Sequence, residues 1–180
     1  VVIYQPKNVP DASQVGIDDR LAMRELADYV VGLGHHEIAL LTMRLGTERR
    51  VGGQAAGVVT PDRLRQSHFH VQSERIAGVR DAMVAAGLDP DTLTIVESYQ
   101  HLPASGGAAA ELALQTNPRI TALMCTADVL ALSAMDYLRA HGIYVPGQMT
   151  VTGFDGIPDA LGRGLTTVSQ PSLEKGKRAG

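Results

Sequence analysis

Tryptophan is missing from this 180-residue chain, and cysteine occurs once, as Cys125. A lone cysteine forms no internal disulfide, so packing and hydrogen bonds must hold the fold; a reducing compartment suits such a chain. Cys125 lies in the apolar run ITALMC and reads as a buried thiol. No apolar run approaches the roughly 18 residues of a membrane span. The opening VVIYQPKN has neither the basic region nor the long apolar stretch of a secretion signal. Net charge is -3, without the concentrated basic surface of a free-standing nucleic-acid binder. The nearest approach to one is Arg44, Arg49, Arg50, Arg63 and Arg65, which are expected to face solvent in a loop. The glycine-rich phosphate loops GxGxxG and GxxxxGK[ST] are absent, as is a GxSxG elbow. His35-His36-Glu37 lacks the i,i+4 spacing of a zinc helix. The expectation is a chain that is not an enzyme, with no cofactor and no metal.

Hydrophobic residues make up 44% of the chain, charged residues 19%, and there are 19 glycines. That is the composition of a compact α/β domain. Short strands are expected at 1–4, 15–17, 38–41, 93–97, 120–125, 149–154 and 166–169. Helices are expected at 19–33 behind an Asp18 cap, from Ser73 as cap to 86, at 106–116, at 128–141, and beyond Pro171. Gly34, Gly87 and Gly142 stand where helices must stop. The segment 43–72 is the least regular, with one short helix expected near 61–66. Apolar strands separated by helices predict a parallel sheet with helices on both faces, a three-layer α/β/α arrangement.

Ligands of such sheets bind beyond the carboxyl ends of the strands. The residues placed there are Gln5, Asp18, Met43, Ser98, Tyr99, the stretch 126–128 and Asp155, with Arg75 in the first turn of the helix after the irregular segment. Carboxylates accept from adjacent hydroxyls, and the Arg75 guanidinium offers a planar fork of donors. Tyr99 can stack on the apolar face of a ring. The set suits a polyhydroxylated ligand. Other roles compete: Asp18 and Asp128 also stand where helices need caps, Asp155 sits in a glycine-flanked turn, and Arg75 and Tyr99 also suit a surface or rim position.

Several longer runs now stand together: VGIDD at 15–19, GLGHHEIALL at 32–41, SERIAGVRDAMVAAGL at 73–88, ITALMCTADVLALSAMDYLRAHGIYVPGQMTVTGFD at 120–155 and LTTVSQPSLEKG at 165–176. In combination they resemble the LacI/GalR family of transcriptional regulators, in its periplasmic-binding-protein-like effector domain. The resemblance covers nearly everything except 43–72. It implies ligand-binding roles for Arg75, Asp155, Asp18, Tyr99, Asp128 and Gln5. Ala127-Asp128 stands where the family usually has Asn-Asp, so ligand identity does not transfer from other members. The resemblance also implies a division of the chain. Residues 1–14 would be a terminal strand of the N-terminal lobe and its crossover, 15–157 the C-terminal lobe, and 158–180 the return crossover. The DNA-binding helix-turn-helix would lie outside this chain, whose two ends read as truncations. Also implied are a small-molecule effector (sugar, glycoside or nucleoside-like), a homodimer on operator DNA, a repressor role and a cytoplasmic location. The competing expectation is an extracytoplasmic sugar-binding receptor, which shares the lobe architecture.

Overall fold

A computed structural model describes residues 2–3, 13–47, 55–100, 102 and 104–180. In chain order it contains β1 (Val2–Ile3), β2 (Gln14–Val15), α1 (Asp19–Gly32), β3 (Ile38–Met43), β4 (Ala56–Val58), α2 (Pro61–Arg65) and α3 (His70–Ala85). A single 3-10 turn at Pro90–Thr92 leads into β5 (Thr94–Ser98). Then follow α4 (Ser105–Thr116), β6 (Ala122–Cys125), α5 (Asp128–Ala140), β7 (Thr150–Asp155), α6 (Pro158–Gly162), β8 (Thr166–Ser169) and α7 (Ser172–Ala179).

The main sheet has six strands in the order β4-β5-β3-β6-β7-β8. Alternation along its central strands divides the core in two. Ala39 and Leu41 of β3, with Leu123 and Cys125 of β6, face the layer containing α4 and α5. Ile38 and Leu40, with Ala122 and Met124, face α1 and α3. Both faces are covered, which is why these strands read as continuous apolar runs rather than alternating ones. The helices of each layer approach closely through glycine. A Cβ at Gly78 of α3 would lie 2.4 Å from the Arg20 carbonyl oxygen of α1, and one at Gly106 of α4 would lie 2.0 Å from that of Leu130 in α5.

The three-layer architecture agrees with the sequence reading; several details do not. The sheet is not wholly parallel: β4 pairs antiparallel with β5, with Gly57 opposite Glu97. The three-residue strand AGV carries no apolar alternation; it joins by its backbone pairing with β5 and by Ala56, which packs against the core on the α4 side. Ser73 is not a cap. The helix starts at His70 behind Phe69, which makes no side-chain cap bond. The Ser73 hydroxyl instead lies 2.9 Å from Ser67 Oγ. Arg75 therefore sits in the second turn of α3, not the first. The short helix α6 was unanticipated. β8 hydrogen-bonds in register to β7, Thr152 opposite Thr166 and Asp155 opposite Ser169, so the main sheet runs past 157. At the chain ends, β1 and β2 form a separate parallel pair, against which α7 packs. No helix among the described residues is long and apolar enough to cross a membrane.

Candidate functional site

The carboxyl ends of β6 and β7 bring together one charged cluster. Its centre is Arg75, whose side chain is only 5% exposed. One face of the guanidinium lies on the ring of Phe154, 3.6 Å from the centroid. The Asp19 carboxylate takes its edge: Nε and Nη2 both reach Asp19 Oδ1, at 2.8 and 2.7 Å. Nη1 donates to the Thr126 carbonyl at 2.5 Å and lies 3.7 Å from Asp155 Oδ1. A buried cation needs such partners to offset its lost hydration.

Asp155 ends β7 with φ 123°, a conformation that L-residues rarely adopt, and Gly156 follows at φ 72°. Such backbone persists where surrounding contacts enforce it, and it gathers at ligand sites. Here the enforcement comes from Gln170, whose Nε2 donates to Asp155 Oδ1 at 2.7 Å and whose backbone N–H donates to the Asp155 carbonyl at 3.1 Å. The Lys175 ammonium of α7 donates in turn to Gln170 Oε1. Burial raises the Asp155 carboxyl above its ordinary value; Arg75 and Gln170 offset this in part. A cavity of about 710 Å³ opens beside Asp155, lined by Gly156, Ile157, Gln170, Ser172 and Glu174 among others.

The candidates from the sequence separate as follows. Arg75 and Asp155 share the cluster. Asp18 is exposed and is the N-cap of α1, accepting from the Leu21 N–H at 2.9 Å. Its neighbour Asp19 is the carboxylate that faces Arg75, one position from the residue singled out. Asp128 does not cap α5 with its side chain and is fully buried. Its two oxygens accept from the Thr167 hydroxyl at 2.5 Å and the Ile157 N–H at 2.8 Å, tying β8 and the start of α6 to α5. A Cβ at Gly153 would fall 2.2 Å from Asp128 Oδ1, so that glycine makes room for the carboxylate. Tyr99 lies across Gly57, where a Cβ would meet its hydroxyl at 1.9 Å. It lines a different cavity, of about 520 Å³, between β4 and α4. With three strand spacings from β5 to β7, Tyr99 stands roughly 14 Å along the sheet from Asp155. Gln5 lies outside the described residues.

Sequence reasoning missed Asp19, Gln170 and Lys175. The run of two aspartates at a helix start was the available signal: one caps, and the next lies in the first turn. Arg63 also departs from expectation. It is not a solvent-facing loop residue: its side chain is 11% exposed and pairs with Glu97, at 1%, through bonds of 2.7 and 2.8 Å. Glu97 Oε1 also accepts from the Leu45 N–H at 2.7 Å. Among the described residues no group of three or more His, Cys, Asp or Glu is arranged to hold a metal. The buried Cys125 thiol is held above its ordinary pKa by desolvation and by the Asp128 charge, so it is a poor nucleophile.

Known proteins share this fold. The periplasmic binding protein-like domain matches residues 27–180. An HTH-type transcriptional regulator of Mycobacterium tuberculosis is 71% identical over 180 residues, 100% of this chain and 49% of its own length. The HTH-type transcriptional regulator IpsA of Corynebacterium glutamicum is 34% identical over the same 180 residues, again 49% of its length. A LacI-family regulator structure from Corynebacterium glutamicum superposes with a TM-score of 0.90 at 33% identity, over 97% of this chain and 50% of that one. The structure of a CelR–cellobiose complex gives a TM-score of 0.74 at 26% identity, over 98% of this chain and 48% of that one. The chain thus spans about half the length of the curated relatives it matches. It belongs to the LacI/GalR family of transcriptional regulators, and its fold is that of their non-catalytic, periplasmic-binding-protein-like effector domain.

Proposed function

We propose that this chain supplies the C-terminal lobe of a cytoplasmic, homodimeric repressor, and that the lobe senses a sugar or related polyhydroxylated molecule. The lobe is residues 15–157 together with β8; residues 1–14, with β1, and α7 belong to the connections with a second lobe. Operator DNA is contacted by a domain outside this chain. The observation that carries the reading is the Arg75–Asp155 contact at the carboxyl end of the sheet, with Asp155 lining an open cavity. Arg75 has N–H donors beyond those its contacts use, and Asp155 Oδ2 has no hydrogen-bond partner among the described residues. A hydroxyl group both accepts and donates, so it can bridge these two side chains. The CelR relative, solved with cellobiose, supports a carbohydrate as the ligand class.

A ligand changes operator affinity only through differential affinity for two arrangements of the lobes. The test is fluorescence anisotropy of the full-length protein on its own upstream DNA, with and without a pool of sugars and nucleosides. Tight, salt-sensitive binding that the pool weakens is the expected result. DNA binding indifferent to every pool would sink the sensing role, and absence of sequence-preferring binding would sink the repressor.

A further inference from the structure

The charges around Arg75 bear on which ligand the site accepts. The cation is met side-on by Asp19, whose side chain is 14% exposed, and approached at its far end by Asp155, 34% exposed. Behind them Asp128 is a third carboxylate, fully buried. The nearby second cation, Lys175, is 4% exposed and is bonded to Gln170. Carboxylates therefore outnumber cations, and the one guanidinium at the site is already ion-paired.

An arginine bound along one edge by a carboxylate keeps its remaining N–H donors but contributes little net positive charge. To a hydroxyl oxygen this makes small difference. To a phosphate or carboxylate it makes a large one, because an anion entering beside Arg75 also meets Asp19 and Asp155 in a half-desolvated place where charges are weakly screened. The unbonded Asp19 Oδ2, without a hydrogen-bond partner among the described residues, asks for a donor. Hydroxyls supply one; a dianionic phosphate does not.

We infer that Asp19 is the specificity-determining residue for ligand charge: by pairing with Arg75 it makes the site accept an uncharged polyol and turn away the phosphorylated or acidic form of the same molecule. This rests on the reading above that Arg75 and Asp155 face the effector, and it adds a role for a residue that need not bear on DNA binding.

The test is titration calorimetry of the full-length protein with matched pairs: ribose and ribose 5-phosphate, glucose and glucose 6-phosphate, cellobiose and its aldonic acid. At least one neutral member should bind, with its charged counterpart weaker by more than about tenfold. In Asp19→Asn the gap should close by about tenfold or more, since Arg75 then regains net charge. Asp19→Glu, which retains the charge, should keep the gap. If Asp19→Asn does not fold, Asp19→Ser is read in the same way. A charged member that binds the native protein as tightly as its neutral partner overturns the inference and leaves the sugar-effector reading standing. So does a gap that is the same in the native protein and the uncharged variant, which would mean steric exclusion. Binding by no member, neutral or charged, overturns both.

Discussion

Arg75 shows how one side chain is fixed from several directions: ring face on Phe154, edge on Asp19, one nitrogen on the Thr126 carbonyl. Removing the guanidinium leaves a largely buried carboxylate and a carbonyl without their donor. Arg75→Ala is expected to cost about 3 kcal/mol of folding stability, measured by urea denaturation; a loss near zero would mean that water replaces the contacts. Asp155 makes a pH-dependent contribution of the opposite kind to a paired carboxylate. Burial is the largest influence and raises its pKa above the ordinary 3.8. Between that value and the raised one the native chain binds more protons than the unfolded chain, so stability falls as pH rises through the window. Asp155→Asn should lack this fall. The difference in stability between the two proteins, followed from about pH 3.5 to 6, should change steadily; a constant difference would rule out a raised carboxyl. At this scale the sequence showed residue types but not directions. Asp18 and Asp19 are chemically alike, and only the helix start, which places one as cap and the next in the first turn, tells which of them reaches Arg75.

Elements join here through two devices of different legibility. The helix pairs rely on glycine at the contact, and Gly106→Ala, pushing a methyl toward the Leu130 carbonyl oxygen 2.0 Å away, should destabilise the chain by about 1–3 kcal/mol. Alanine at the open Gly147, whose nearest contact is 4.0 Å away, is the control and should cost much less. Between β3 and α3, the Arg63–Glu97 pair fixes α2 against the end of β5. Arg63→Met alone strands the Glu97 charge and should cost about 3 kcal/mol, whereas Arg63→Met with Glu97→Leu should cost less than the single change. A double-mutant cycle in urea measures this; a double variant worse than the single would refute it. The sequence made the central strands plain, because burial on both faces leaves uninterrupted apolar runs. It hid β4, α6 and the true start of α3. β4 has no side-chain pattern of its own, α6 is a single short turn, and α3 begins at His70 behind Phe69, without a capping side chain.

For the molecule as a whole, the two ends of the sheet differ in kind. The carboxyl end carries the charged cluster; the amino end is drawn together by His35, whose imidazole bridges the Thr121 and Thr150 hydroxyls at 2.9 and 2.8 Å. Partial burial, with His36 nearby, lowers the His35 pKa below 6.5. The unfolded chain then takes up its proton first, so the stability His35 confers is complete above that value and is lost as pH falls through the lowered one. His35→Gln should flatten the loss between about pH 7.5 and 5, read as the midpoint of thermal unfolding; an unchanged slope would exclude His35 as its source. The overall architecture was legible because helix and strand periodicities agree with one another over most of the chain. What stayed hidden was the company each acid and base keeps, since side chains far apart in sequence meet only once the strands are ordered. One such meeting has a polarity. Gln170 offers its amide nitrogen to an acid and its amide oxygen to a base, so Asp155, Gln170 and Lys175 fit together in one order only. Head and tail of that amide are not interchangeable, and the join between β7 and the last helix is keyed like a plug.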